Sequence, residues 1–268
     1  MTAAIDLTAG PIASGRTAEV FAVGDNQVLK LLKPGFDSQM LFVELAKTAS
    51  VHAVTGLAPE VSDLVEVDGR PGVLFERIFG HSMLDSILST QDRVVDQAVA
   101  FADLHAEILN VPTARGLPGV KEFMADKIDN ADLPLPQRTL AKDRMMGLPN
   151  GDATLHGDFH PDNVLVTPEG SRVIDWGEAS LGDPAADIAR TMVLLTPESA
   201  AVVVPHPRSI AGFISEFAGT YLKRSSQQTD TTIVTITAWR LPVIAARLSE
   251  GITEQVDLLQ TEVAALTA

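Results

Sequence analysis

The chain of 268 residues contains no cysteine. Disulfides and thiolate-held metals are excluded, and a reducing compartment is permitted. Positive charge is scarce: 20 Lys and Arg stand against 35 Asp and Glu, a formal net charge of −15 with a pI near 4.7. Non-specific binding to nucleic acid relies on Lys and Arg neutralising phosphates, so that partner class is set aside. No apolar run reaches the length of a membrane span, and the opening MTAAIDLTAG lacks the basic region and apolar core of a secretory leader. A cytoplasmic protein with no membrane partner is expected. Internal repeats and low-complexity segments are missing too, as is the phosphate-loop signature GxxxxGK(S/T). What is present is an ordinary globular composition, 46% hydrophobic and 21% charged, long enough for one large domain or two lobes sharing a cleft.

The pattern changes near residue 80. Before it, short apolar runs over 18–23 and 27–32 flank GDN, a hairpin signal, and follow the turn-forming SGRT at 14–17. Helical periodicity over 37–54, carried by Met40, Leu41, Leu45 and Ala46, stops near Gly56 and Pro59. A second hairpin, 61–67 and 72–78, turns at DGRP, and an opening strand is expected over 5–13. Beyond residue 82 helices dominate, with amphipathic stretches at 93–109, 184–195, 209–222 and 231–250 and a last helix from 254. Short helices and loops are expected over 110–150, and two short strands at 164–166 and 172–174. The expected division is a β-rich unit, 1–80, and a mainly helical unit, 81–268. The second carries 14 Lys and Arg against 25 Asp and Glu, a field that suits either a cationic partner or simple solubility.

The densest chemistry lies in HGDFHPDNVLV, residues 156–166, and VIDWGEA, residues 173–179. Asp158, Asn163 and Asp175 occur in the order that phosphoryl transfer needs. One carboxylate receives a hydroxyl proton, while an amide oxygen and a second carboxylate hold magnesium, which prefers oxygen donors. Asp and Asn often do no more than stabilise turns. The ordered set, with apolar strands after Asn163 and before Asp175, favours chemistry. A zinc-hydrolase reading of the alternating His156, Asp158, His160 and Asp162 leaves VIDW and the first eighty residues unexplained.

In the β-rich unit, Lys30 in QVLKLL is placed to neutralise nucleotide phosphates, with Glu44 on the next helix holding it by an ion pair. The Ser14, Gly15 and Thr17 turn lets backbone amides and small hydroxyls approach phosphate, although it is not a full GxGxxG. Residues 75–78, Glu76 and Ile78 among them, form a candidate hinge whose backbone bonds adenine. Glu178 and Glu250 are candidates for contacting the acceptor, against a plainer pairing of Glu250 with Arg247 or Arg240. His105 reads as a core histidine, Asp183 and Asp187 as a turn and helix cap, and Trp176 as packing beneath the loop at Asp175.

These residues, HGDFHPDNVLV followed by VIDWGEASLGDPAADIA, resemble the aminoglycoside phosphotransferase family of small-molecule kinases. The resemblance covers roughly residues 10–195. It implies an α+β, bilobal, protein-kinase-like fold with a small β-rich N-lobe and a larger, mainly helical C-lobe. It also implies ATP or GTP with Mg2+, Asp158 as base, Asn163 and Asp175 as magnesium ligands, and transfer to a small-molecule hydroxyl. Trp176 follows the metal Asp where protein kinases have Phe, and no activation loop ending in APE follows, which argues against a protein substrate. A cationic aminoglycoside, an amino alcohol or a sugar all fit as acceptors, and a nucleotide-binding pseudokinase is the non-catalytic alternative.

Overall fold

A computed structural model describes residues 5, 7–200 and 211–268. The chain builds a five-stranded antiparallel sheet, then a mainly helical body, in the kinase-like α+β arrangement. The sheet comprises β1 (Ala13–Ser14), β2 (Ala18–Val23), β3 (Gln27–Leu32), β4 (Val61–Val67) and β5 (Arg70–Glu76), ordered β1-β2-β3-β5-β4. Helix α1 (Gln39–Thr55) packs on one face. Strand alternation decides what meets it. Leu29 and Leu31 join Phe21 and Leu74 on the far face, while Leu32, Val73 and Phe75 gather around Leu41 of α1. Lys30, between Leu29 and Leu31, is therefore turned to the α1 face.

The inward face of α1 departs from its expected apolar stripe. Glu44, Lys47 and Thr48 are buried beside Leu41 and Val51, whereas Met40 is 48% exposed. The helix looks onto a polar site, so its buried face carries charge. The opening strand is shorter than the expected 5–13, and residue 6 lies outside the described residues.

The body begins with β6 (His81–Ser82), which pairs with residues 165–166 of a later strand, and continues through α2 (Met83–Ser89) and α3 (Val94–Leu109). The stretch 110–150 holds α4 (Val120–Asp129) and α5 (Leu135–Met146). Strands β7 (Ala153–Leu155), β8 (Val164–Thr167), β9 (Gly170–Val173) and β10 (Ser180–Gly182) then bracket the two motif loops. Leu155 opposes Ser180 and Val164 opposes Val173, so the loops 156–163 and 174–179 are clamped together at both ends. The remaining helices are α6 (Pro184–Leu194), α7 (Pro197–Ala200), α8 (Ala211–Gln228), α9 (Ile233–Ala238), α10 (Arg240–Arg247) and α11 (Val256–Thr267). The first two residues of the helix expected at 209–222 lie outside the described residues. The single helix expected over 231–250 breaks at Trp239, because Pro242 has no N–H for the carbonyl four residues back. No helix among the described residues is long and apolar enough to cross a membrane.

Candidate active site

The two motif loops and the α1 face of the sheet meet at one large cavity of about 1370 Å³. On the sheet side, Lys30 Nζ donates to both oxygens of Glu44, at 2.6 and 2.7 Å, and to Asp175 Oδ1 at 3.2 Å. Three residues from a strand, a helix and a distant loop thus share one ammonium. Burial alone would lower the lysine pKa; the carboxylates of Asp175 and Glu44 outweigh it and hold the group above the ordinary lysine range. Burial pushes the Glu44 carboxyl up, and Lys30 opposes that shift.

Asp175 adopts φ 65° and ψ 63°, the left-handed region that Asp tolerates better than most residues. Holding it there costs on the order of 1 kcal/mol. Its side chain is 48% exposed, so the carboxylate is presented to the cavity rather than buried in it. Beneath it Trp176 is fully buried, its indole N–H donating to the Val173 carbonyl at 2.8 Å, which agrees with the packing role expected for it.

The other loop is held by its own backbone. His156 is fully buried, and its Nδ1 accepts the Asp158 N–H at 3.1 Å. Nε2 therefore carries the proton and donates to the Ile174 carbonyl at 3.1 Å. This neutral ring joins the Asp158 loop to the Asp175 loop, and burial, which lowers its pKa, favours that form. Both ring nitrogens are committed, and among the described residues no group of three or more His, Asp and Glu side chains converges as a metal site. His156 therefore has no lone pair free for the metal that a zinc reading requires.

Asp158 is 27% exposed and lines the cavity. Its Oδ1 accepts from Arg190 Nη2 at 3.2 Å, and His160 Nε2 lies 3.6 Å from Oδ2. Burial would raise this carboxyl, but His160 and Arg190 hold it well below the usual carboxylate range. Asn163 donates its side-chain N–H to the Asp158 carbonyl at 2.9 Å, which leaves the amide oxygen for a cation. One amide oxygen and one carboxylate, on loops clamped together and facing one cavity, suit a hard cation that keeps several waters.

Ser14, Gly15, Thr17 and Ile78 line the same cavity. The carboxylate of Glu76 is tied to Arg172 at 2.7 Å and its backbone N–H donates to the Glu60 carbonyl at 2.9 Å, so only its backbone carbonyl is left for a hinge role. Glu178 corrects the expectation that it faces the acceptor. It does not line the large cavity; it pairs with Lys127 in a small neighbouring one. Glu250 does line the cavity, and its carboxylate pairs with Arg190 at 2.7 Å and Arg247 at 3.1 Å, the plainer of its two readings. Arg240 pairs elsewhere, with Glu262.

Asp183 caps α6 as expected, accepting from Ala185 N–H. Asp187 does not cap; it lies within α6 and reaches the loop at His156. Its carboxylate accepts the N–H groups of His156 at 2.6 Å and Gly157 at 2.9 Å, with His105 at 3.1 Å. His105 is the satisfied core histidine expected, with the Tyr221 hydroxyl on its other nitrogen at 2.7 Å. Sequence reasoning missed Arg190 and Lys47. Lys47 donates to the Gly177 carbonyl at 2.8 Å, and burial lowers its pKa to about 8. A charged residue inside an otherwise apolar helical stretch was the available signal for both.

Residues 8–213 match the model of the phosphotransferase enzyme family, APH. This chain belongs to that family. Solved structures agree in fold. One is a thermostable mutant of aminoglycoside phosphotransferase APH(4)-Ia with ADP and hygromycin B: 18% identity over 96% of this chain and 92% of that one, TM-score 0.66. Another is a choline/ethanolamine kinase family protein from Mesorhizobium loti, at 16% identity over 98% and 91% with TM-score 0.57. A third is APH(3'')-Id from Streptomyces rimosus with ADP and streptomycin, at 15% identity over 88% and 91% with TM-score 0.56. No curated protein matches the chain in sequence. The chain is thus a member of a phosphotransferase enzyme family.

Proposed function

We propose that the chain transfers the γ-phosphoryl group of ATP to a hydroxyl of a small molecule. The observation that carries this reading is the meeting of Lys30, Glu44 and Asp175 within 3.2 Å, across one cavity from Asp158 and Asn163. Residues 1–80 form the nucleotide lobe and 81–268 the acceptor lobe. Lys30, released from Asp175, binds phosphate while Glu44 fixes its position. The Ser14, Gly15 and Thr17 turn approaches the phosphates, and the backbone of Glu76 and Ile78 receives the base. Asn163 and Asp175 hold Mg2+, which when bound neutralises charge developing on the phosphates. Asp158 orients the acceptor hydroxyl. Its depressed pKa makes it a weak base, which suits a loose transition state in which positioning outweighs proton abstraction. The neighbours bound to ADP, and another bound to GDP and kanamycin, support a purine nucleotide without choosing between ATP and GTP. The test is a pair of variants assayed with a panel of hydroxylated acceptors. Asp158→Asn is expected to keep Mg·ADP binding and lose transfer by on the order of 10³-fold or more. Asp175→Asn is expected to lose magnesium-dependent nucleotide binding. Full activity in either variant sinks its assigned role.

A further inference from the structure

The cavity continues past Asp158 to an end that phosphate chemistry does not use. Its volume of about 1370 Å³ exceeds the range of roughly 300–1,000 Å³ typical of a single-ligand site, so a second molecule fits beside a nucleotide. The far wall follows from elements tied to Asp158. Arg190 of α6 touches that carboxylate, and Leu194 lies one turn later on the same helix face, followed by Leu195. From α8 come Phe213, Ile214 and Phe217; the ring of Phe217 lies 5.4 Å from Phe101, which stacks on Phe159 beside Asp158. Ile252 closes the wall just after Glu250.

Charge at this end is already cancelled. Arg190 pairs with both Asp158 and Glu250, and Arg247 pairs with Glu250. Among the described residues of this wall only Glu254, exposed, has no cationic partner. Asp85 and Asp162 also line the cavity without a cationic partner among the described residues, on α2 and the turn at Pro161–Asn163, which pack on each other. A polycation laid against the α6–α8 wall meets leucine, phenylalanine and isoleucine, and desolvating unpaired ammonium groups against such a wall is costly.

We infer that the acceptor is an alcohol on a mainly apolar, uncharged scaffold, with its body against the α6–α8 wall and its hydroxyl at Asp158. This rests on the phosphotransfer reading. In the reaction the acceptor oxygen bonds to the γ-phosphorus, and the bond from that phosphorus to the β,γ-bridging oxygen breaks. The diphosphate leaves with the electron pair, and the hydroxyl proton passes through Asp158 to solvent.

The test titrates the full chain, loaded with Mg·ADP, with geraniol, cyclohexylmethanol and a hydroxysteroid, and in parallel with kanamycin and streptomycin. At least one apolar alcohol is expected to bind tenfold or more tighter than either polycation. Ile214→Asp, and separately Phe213→Asp as a second variant checked for folding by circular dichroism, should weaken that alcohol at least tenfold. Binding by none of the apolar alcohols, tighter binding of a polycation, or indifference of folded variants at both positions overturns the inference. Failure of Mg·ADP to bind counts against the phosphotransfer reading alone, since the same titrations on the nucleotide-free chain still decide the acceptor class.

Discussion

Replacing Arg190 by methionine removes the guanidinium that holds Asp158 and Glu250 together. Its Nε donates to the Gly157 carbonyl at 3.1 Å, and Nη2 donates to Asp158 Oδ1 at 3.2 Å and to Glu250 Oε1 at 2.7 Å. The side chain is only 11% exposed. Removing one partner of a buried ion pair costs about 3–5 kcal/mol, because the other charge is left stranded. Here Glu250 keeps Arg247 at 3.1 Å, and Asp158 keeps His160 at 3.6 Å and some contact with water, so the lower end applies. With a urea m-value of about 3 kcal/mol/M, a loss of about 3 kcal/mol lowers the unfolding midpoint by about 1 M. The fluorescence of Trp176 and Trp239, both fully buried, reports the transition.

The same variant tests the electrostatics of the proposed base. Asp158 is depressed in the folded state, so its contribution to stability is present above the unfolded carboxylate pKa and fades as pH falls through the lower folded value. Without Arg190 the folded pKa rises. The acid limb of the rate profile should then move to higher pH, and acid unfolding should begin earlier. Adding Glu250→Gln to Arg190→Met should not restore the original pH profile, because Glu250 meets Asp158 only through Arg190. A midpoint within 0.3 M of the parent, together with an unmoved acid limb, would refute the reasoning.

Three further outcomes follow from the same geometry. Lys30→Met should reduce kcat/KM by on the order of 10²-fold, with the larger effect on nucleotide KM, and adding Glu44→Gln should restore stability without restoring activity; initial rates and melting curves check this. Gly157→Ala should cost about 2–4 kcal/mol, since φ is +79° and a Cβ there would lie 2.5 Å from the Glu178 carbonyl oxygen; denaturant titration measures it. Lys47, with a pKa of about 8 when folded against 10.5 in a free chain, binds fewer protons folded than unfolded, so stability should rise between pH 8 and 10.5, by about 2–3 kcal/mol, and the rise should vanish in Lys47→Met.

The layout of the candidate site was legible in the sequence wherever it was written in contiguous residues. Asp158 and Asn163 lie five apart on one loop, and the strands beside them read as short apolar runs. Lys30 and Glu44 needed only alternation in a strand and the direction of the next helix. Glu178 was misplaced because nothing local tells which side of a loop a residue takes; Lys127, fifty-one positions away, decides it. Arg190 was missed for a related reason. Its partners, Asp158 and Glu250, lie thirty-two and sixty positions off, and only the folded body brings them together. The helix break at Trp239 was the reverse case, where one Pro242 overrode a periodic pattern that otherwise ran on.

Those distant contacts converge on one helix face. Asp187, Arg190 and Leu194 occupy positions i, i+3 and i+7 of α6, a spacing that stacks side chains along one stripe. Asp187 fixes the backbone at His156 and Gly157, Arg190 fixes the carboxylate of Asp158, and Leu194 begins the apolar wall. A rotation of α6 by even part of a turn would shift all three at once, moving the proposed base relative to its loop and to the acceptor wall together. The buried His105–Asp187 contact at 3.1 Å and the Thr191 hydroxyl bond to the Phe159 carbonyl at 3.0 Å resist that rotation. The helix that carries no reacting group thereby sets the distance between the proposed base and whatever hydroxyl it meets.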